Sequence, residues 1–226
     1  MQFLGEDQHS AVSAIANCVV SGLKSGKRVL WLVSGGSNVG LEVQIMQLLH
    51  KRAKDKLGSL AIFPMDERYG PPGHKDSNTE QLRAAGFKPG EASWVDVLMH
   101  NVSFEQTVSF YGDVAATALQ HAAIVVGQFG LGADGHIAGL LPNSPATEPT
   151  DDAVIGYKWS DYTRLTLSPA ALRHVQVAYV PAYGTGKKQA LQRLRNHNEP
   201  FAELPAELLY ELPSVYVYND QLENKE

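Results

Sequence analysis

The sequence predicts an α/β fold: a Rossmann-like, doubly wound and mostly parallel sheet with helices on both faces. Predicted strands and helices alternate along the chain, which is the pattern of a sheet built from crossover connections. The two strongest predicted strands, residues 28–33 and 122–127, are apolar runs of the kind that is buried on both faces. The chain has no internal repeat, low-complexity segment or Ser/Gly-rich linker, so we expect one domain over residues 1–226.

Helices are expected where apolar residues recur at helical spacing or where a capping residue begins a turn. Ser77 with Glu80, and Ser103 with Gln106, have the spacing of a capping box, and Ser168 precedes a first-turn proline. The expected helices are residues 6–22, 39–54, 77–86, 104–120, 185–196 and 205–211. The expected strands are residues 28–33, 60–64, 95–98, 122–127, 153–158, 162–167, 175–180 and 214–218.

The composition excludes several classes of protein. The chain is 44% hydrophobic and 19% charged, which argues against disorder, and its single cysteine, Cys18, excludes an intramolecular disulfide framework. No apolar string approaches the roughly 18–20 residues of a membrane span, and the N-terminus lacks the layout of a signal peptide. We therefore expect a soluble, cytoplasmic protein. The net charge of −5 gives no support for nucleic-acid binding, so an anionic ligand would need a local site.

Three unusual loops follow predicted strands: residues 34–37, 65–78 and 130–136. In a doubly wound sheet, ligands bind outside the carboxyl ends of the strands. We therefore expect these loops to open on the same edge of the sheet and to carry the functional residues.

The loop Ser34-Gly35-Gly36-Ser37, called here the 34–37 loop, lies between a predicted strand and a predicted helix. Its glycines let the backbone approach a ligand, and the start of the helix offers free N–H groups to an anion. The sequence indicates a phosphate cradle, although a tight strand–helix turn is an equal alternative. The loop lacks the lysine of a Walker loop, and Val39 stands where a nucleophile elbow needs glycine.

Asp66, Glu67 and Arg68 end a buried run and open a turn-rich segment over residues 65–76. Three charges there are interpreted as a polar wall for a hydroxylated substrate, with Arg68 available to a developing negative charge. A solvated loop is the alternative interpretation.

The segment from Gly130 to His136, called here the 130–136 loop, matches Gly-x-Gly-x-x-Gly after a strand. A dinucleotide site is disfavoured, because Asp134 would repel a pyrophosphate and Pro142 and Pro145 interrupt the helix that should follow. Asp134 and His136 instead form a pair suited to acid–base work, in which the carboxylate holds the imidazole and raises its basicity. A structural histidine is the alternative.

Arg164 and Lys187 are isolated cations near the ends of predicted elements. Each is more often a surface charge than a ligand, but Lys187 lies early in a predicted helix, where the helix dipole disfavours a cation. This mismatch favours a functional role for Lys187. The eight histidines show no pair at metal-ligand spacing, so no metal site is expected.

Together these loops resemble the 6-phosphogluconolactonases, a part of the glucosamine-6-phosphate isomerase/deaminase superfamily. The motifs that carry the resemblance occur in the family's order: Ser34-Gly-Gly-Ser37, Met65-Asp-Glu-Arg68, Asp76-Ser-Asn78, Gly130-Leu-Gly-Ala-Asp-Gly-His136 with Ala138, Leu140 and Pro142, Arg164-Leu-Thr-Leu, and Gly184 to Lys187. The resemblance extends over essentially the whole chain.

The resemblance implies a Rossmann-like fold and the hydrolysis of 6-phospho-D-glucono-1,5-lactone to 6-phospho-D-gluconate, a step of the oxidative pentose phosphate pathway. It implies a small sugar-phosphate substrate and no metal or organic cofactor. We expect no nucleic-acid or membrane partner, and a monomer or small homo-oligomer.

The resemblance also implies roles for individual residues. His136 matches the general base, and Asp134 matches its neighbouring carboxylate. The positions expected to bind the substrate or its phosphate are Ser34, Gly35, Gly36, Ser37, Asp66, Arg164 and Lys187. Arg68 is expected at the reaction centre.

Two other functions remain open on the same fold. Deaminases of the superfamily carry tyrosine at the position of Arg68 and a glutamate at that of Leu141, so both residues disfavour deamination or isomerisation. A non-catalytic sugar-phosphate-binding module would not need His136 and Asp134. The family more often has Thr-Pro where this chain has Asn38-Val39, which calls the rigidity of the 34–37 loop into question.

Overall fold

The computed structural model describes residues 1–223, and its centre is a seven-stranded sheet in which all neighbouring strands are parallel. The strands, in chain order, are β1 (Gln2–Leu4), β2 (Val29–Val33), β3 (Leu60–Pro64), β4 (Asp66–Arg68), β5 (Ser93–Trp94), β6 (Ile124–Gln128), β7 (Val154–Lys158), β8 (Thr163–Leu167), β9 (Val177–Ala182) and β10 (Ser214–Asn219). The order across the large sheet is β1-β10-β9-β6-β2-β3-β5. The predicted parallel α/β sheet is confirmed.

Helices cover both faces of this sheet, as predicted. They are α1 (Gln8–Lys24), α2 (Val39–Ala53), α3 (Asn78–Ala84), α4 (Phe104–His121), α5 (Pro169–Leu172) and α6 (Lys188–Asn196). Along β2, Trp31 packs in the core on the side of α1, α2 and α3, whereas Leu30 and Leu32 pack in the core on the side of α4 and α6. β2 is therefore buried on both faces, which explains its uninterrupted apolar sequence. No helix within residues 1–223 is long and apolar enough to cross a membrane.

Polar caps begin several of the helices, and they explain why these segments are helical. The Ser103 side chain and the Gln106 side chain form a reciprocal capping box at the start of α4. The hydroxyl of Ser77 accepts a hydrogen bond from the Glu80 amide at 3.1 Å, and that of Ser168 caps α5 in the same way. The helix starts that were predicted from these serines are confirmed.

The expectation of a loop throughout residues 65–76 is wrong for β4. β4 forms a separate antiparallel sheet with β8 and β7, in the order β4-β8-β7. β4 contains only charged residues, so its strand conformation depends on pairing with a distant strand and not on a local apolar pattern. The register sets Arg68 directly opposite Arg164.

Other boundaries also differ from the predictions. The strand expected at 95–98 lies instead at Ser93–Trp94, and the short strand β1, which pairs with β10, was not predicted. The helix expected at 185–196 begins with a 3₁₀ turn over Thr185–Lys187, and Pro205–Glu211 is a 3₁₀ helix. These elements are very short or tightly wound, so hydrophobic periodicity specifies them poorly.

Candidate active site

The loops after β2, β3 and β6 meet around one cavity of about 380 Å³ at the carboxyl edge of the large sheet. The cavity is lined by Ser34, Gly35, Gly36, Ser37, Asp66, Arg68, Asn78, Gly130, Leu131, Gly132, Ala133, His136, Ala138, Asp161, Arg164 and Lys187. Every residue predicted for the site lines this cavity except Asp134, which contacts His136 from outside it. The expectation that the three loops open together is confirmed.

A second, more apolar cavity of about 270 Å³ lies at the opposite edge, where β2 and β3 begin beside α4. It contains His121 and Arg28 but no pair of groups suited to acid–base chemistry. The carboxyl-edge cavity is therefore the candidate active site.

The 34–37 loop turns sharply at its two glycines. Gly35 and Gly36 have φ angles of +67° and +58°, in the region that favours glycine, and a Cβ atom on Gly35 would lie 3.1 Å from the Cβ of Asn78. The chain then enters a short 3₁₀ turn, Gly36–Asn38, that leads directly into α2. The amides of Gly36 and Ser37 lie in this first turn, where backbone N–H groups have no partner within the helix.

Asn38 secures the 34–37 loop to the neighbouring loop. Its side-chain amide donates to the hydroxyl of Ser34 at 3.3 Å and to the carbonyl of Phe129 at 3.2 Å. Asn38 is almost fully buried. Asn38, which stands where the family more often has threonine, thus ties the 34–37 loop to the neighbouring loop through its side chain.

Asp134 and His136 form a close pair. His136 Nδ1 lies 2.6 Å from Asp134 Oδ1, which also accepts the backbone N–H of His136 at 3.2 Å. Burial alone would raise the pKa of Asp134, but the hydrogen bonds and charge of His136 outweigh burial and lower it to about 2. Because an ionised carboxylate only accepts, Nδ1 carries the proton, and Nε2 is left as the basic nitrogen.

The glycines of the 130–136 loop are explained by the position of this histidine. A Cβ atom on Gly132 would lie 2.1 Å from His136 Nδ1, so only glycine leaves room for the ring. The Gly132 amide donates to the His136 carbonyl at 2.8 Å, and Gly135 adopts a φ of +94°. A hydrogen bond within the loop thus fixes its backbone, and the loop holds the imidazole of His136. This arrangement agrees with the sequence analysis, which disfavoured a dinucleotide site here.

Arg193, on α6, is a supporting residue that the sequence did not predict. Its Nη1 donates to the backbone carbonyl of Asp134 at 2.8 Å, and its guanidinium is held by the Glu199 carboxylate. The amide of Ala206 donates to the carbonyl of Gly135 at 3.1 Å. Distant parts of the chain therefore anchor the backbone of the 130–136 loop.

Arg68 and Arg164 form a cationic wall of the cavity. Both guanidinium groups lie against the ring of Tyr162, with their Cζ atoms 4.8 and 5.5 Å from its centroid. Arg164 is largely buried, and its Nη2 lies 2.6 Å from the carboxylate of Asp161. Tyr162 and Asp161 were not predicted, because only the strand pairing brings their turn beside β4.

Lys187 is a further cation of the cavity. It ends the 3₁₀ turn before α6, and its Nζ donates to the carbonyl of Leu131 at 2.5 Å. Burial lowers the pKa of Lys187, and the charge of Asp134 opposes this effect. A half-buried ammonium in this position is available to an anion in the cavity.

The three charges of the Asp66-Glu67-Arg68 motif have different surroundings. Asp66 lines the cavity and is nearly buried; burial and the charge of Glu67 raise its pKa to about 6, against the effect of the nearby cations. Glu67 is fully buried and accepts the amides of Asn78 at 2.7 Å and Thr79 at 3.0 Å. Glu67 therefore supports the start of α3 and is not part of the cavity wall.

The described residues contain no group of three or more histidine, cysteine, aspartate or glutamate side chains arranged to hold a metal ion. The cavity offers one imidazole held by a carboxylate, three cations, the carboxyl groups of Asp66 and Asp161, and the helix-start amides.

The fold and the cavity define the chain as a Rossmann-like α/β protein with a cation-lined cavity at the carboxyl edge of its sheet. Residues 6–216 match the family model described as glucosamine-6-phosphate isomerases/6-phosphogluconolactonase. The chain belongs to this family.

Individual relatives agree with this assignment. A protein of Mycobacterium leprae named 6-phosphogluconolactonase is 25% identical over 215 residues, which cover 87% of this chain and 84% of the relative. A crystal structure of a 6-phosphogluconolactonase from Shewanella baltica superimposes with a TM-score of 0.79 at 20% identity and covers 97% of both chains. A monomeric glucosamine-6-phosphate deaminase superimposes with a TM-score of 0.77 at 17% identity, with 97% coverage of both chains. Fold alone therefore does not separate the two activities.

Proposed function

We propose that this protein is a carboxylic ester hydrolase that converts 6-phospho-D-glucono-1,5-lactone to 6-phospho-D-gluconate in the cytoplasm, as a step of the oxidative pentose phosphate pathway. The observation that carries the proposal is the cavity that contains the His136 imidazole together with Arg68, Arg164 and Lys187. The names of the curated relatives support the same reaction.

The 6-phosphate is proposed to bind at the end of the cavity formed by the 34–37 loop. The amides of Gly36 and Ser37 and the hydroxyls of Ser34 and Ser37 donate to its oxygens. Arg164 and Lys187 neutralise its charge, and Arg164 exchanges its ion pair with Asp161 for the phosphate. Asp66 accepts from a sugar hydroxyl. This arrangement fixes the lactone with C1 near His136.

Hydrolysis then needs one base and no covalent enzyme intermediate. His136 Nε2 removes a proton from water as the water oxygen bonds to C1, and Asp134 stabilises the imidazolium. Arg68 offsets the negative charge of the tetrahedral oxyanion. Collapse of this intermediate breaks the bond between C1 and the ring oxygen, which takes the proton from His136. The open-chain carboxylic acid that results releases its proton to solvent to give the product carboxylate, and no metal or organic cofactor takes part.

Leu141 argues for lactonase over deaminase activity. The deaminase pattern has a glutamate at this position, whereas Leu141 is a buried apolar residue that cannot transfer protons. Lactone hydrolysis does not require that carboxylate. The His136–Asp134 pair in turn argues against a module that only binds sugar phosphates.

The experiment generates the lactone in situ with a glucose-6-phosphate dehydrogenase and follows its disappearance, with ammonia release from glucosamine 6-phosphate measured in parallel. The proposal predicts lactone hydrolysis well above the spontaneous rate and no ammonia. Ammonia release without lactone hydrolysis would show a deaminase, and the absence of both would show a binding module.

A further inference from the structure

Glu42 is a fully buried carboxyl group directly beneath the 34–37 loop. It lies on α2 and does not line the cavity. Its Oε1 accepts the backbone N–H of Ser34 at 2.9 Å and that of Gly35 at 3.1 Å. One oxygen thus satisfies two consecutive amides of the loop, although neither Ser34 nor Gly35 belongs to the helix that Glu42 is part of.

We propose that Glu42 is a positioning residue for phosphate binding: it holds the first two amides of the 34–37 loop so that the next two, of Gly36 and Ser37, face the cavity. The inference deepens the proposed function, since it rests on the phosphate site assigned above.

The conformation of the loop makes such a support necessary. Gly35 and Gly36 both have positive φ angles, and glycine has many other conformations available. Without an acceptor, the partly buried amide of Ser34 and the buried amide of Gly35 would lose a hydrogen bond each, and the chain would rotate to find other partners. Rotation at Gly35 would turn the adjacent Gly36 amide away from the cavity. Asn38 restrains the other side of the loop through Phe129, so Glu42 completes the restraint.

The second oxygen and the charge of Glu42 also affect phosphate binding. Oε2 is buried with no hydrogen-bond partner among the described residues. Burial raises the pKa of Glu42 to about 7, assisted by the charge of Asp66 and opposed by the two loop amides. With a pKa of about 7, Glu42 carries only part of a negative charge beneath a bound phosphate at neutral pH and still offers its accepting oxygen to the loop. An amide side chain offers an accepting oxygen with no charge, so Glu42→Gln should preserve the function.

The test compares four variants with the wild-type protein. Glu42→Gln keeps an acceptor at the same place, Glu42→Leu removes it with similar volume, and Glu42→Asp withdraws it by one methylene. Ile45→Ala is the matched control, because Ile45 is fully buried on the same helix and lies in the hydrophobic core. Each folded variant is titrated with inorganic phosphate by calorimetry, and its kcat and KM for the lactone are measured separately.

We expect Glu42→Leu and Glu42→Asp to weaken phosphate binding and raise KM by about tenfold, which corresponds to the loss of one hydrogen bond from the misplaced loop to the phosphate, while kcat changes little. Glu42→Gln should bind phosphate as the wild type does, and Ile45→Ala should lower only the thermal midpoint. If Glu42→Leu does not fold, Glu42→Asp is compared with Glu42→Gln and Ile45→Ala in its place.

Three results would overturn the inference: unchanged phosphate affinity in Glu42→Leu or Glu42→Asp, a loss in Glu42→Gln as large as theirs, or an equal loss in Ile45→Ala. The phosphate titration separates this inference from the proposed reaction. A wild-type protein that binds phosphate but does not hydrolyse the lactone contradicts the reaction alone, whereas one that binds no phosphate contradicts the phosphate site and the inference together.

Discussion

At the scale of single residues, Arg164 is the cation whose function is most sharply testable. It is largely buried, paired with Asp161 and set opposite Arg68 by the strand register. A charge-assisted hydrogen bond contributes about 1.5–3 kcal/mol, so Arg164→Ala should raise KM for the lactone by about 10- to 150-fold with a smaller effect on kcat.

The control for Arg164 is Arg173→Ala. Arg173 is exposed and pairs with Glu211 at 2.6 Å. It lies far from the 34–37 loop in the sequence and does not line the cavity. Its removal should leave KM unchanged. Equal KM values in wild type and Arg164→Ala would show that Arg164 only binds Asp161.

Asp66 gives a prediction about stability. Its pKa of about 6 lies above the ordinary 3.8, so the native protein binds more protons than the unfolded chain between these values. The contribution of Asp66 to stability is therefore present below pH 3.8 and is lost as the pH rises through 6. In Asp66→Asn this loss should disappear.

Urea unfolding of wild type and Asp66→Asn at intervals between pH 4 and pH 7 measures the difference. The free energy of unfolding of the wild type should fall relative to that of the variant as the pH rises. A constant difference over this range would show that Asp66 titrates normally in the folded protein.

At the scale of elements, α6 holds the backbone beneath the His136–Asp134 pair. Arg193 on this helix binds the Asp134 carbonyl, and Glu199 fixes the guanidinium. Arg193→Ala should let the 130–136 loop shift and lower kcat by about tenfold or more, while phosphate affinity stays the same, because small misplacements of a base are costly.

Arg195→Ala, the next arginine of α6, is the matched control for Arg193. It changes the charge of the same helix by the same amount and should leave kcat unaltered. A parallel loss of kcat in both variants would assign the effect to helix stability or overall charge and not to the contact with Asp134.

The helices and the longer strands of the large sheet, such as β2 and β6, could be predicted because their signals are local, whereas the short edge strands β1 and β5 could not. The serines at 77 and 103 cap helices, and the apolar run of β2 is that of a doubly buried strand. β4 could not be predicted, since its charged residues become a strand only through pairing with β8. Arg193 was missed for the same reason: its contact with Asp134 joins positions 59 residues apart.

At the scale of the whole molecule, the acidic net charge and the cationic cavity are compatible. The chain carries a net charge of −5, yet Arg68, Arg164 and Lys187 all line one cavity. Local cations and helix-start amides attract an anion more strongly than a distant net charge repels it, because salt screens charges beyond about 10 Å. All the predicted site residues except Asp134 line this cavity, whereas Asp161 was not predicted. The assignment of residues 1–226 to a single domain stays a prediction.

His136 is proposed as the general base of a lactonase, and lactone hydrolysis by His136→Ala, measured beside the wild type, tests this role most directly. General base catalysis contributes roughly 10²–10⁴-fold, so kcat should fall by about that factor while inorganic phosphate still binds with wild-type affinity. Near-wild-type turnover by His136→Ala would show that His136 is not the general base.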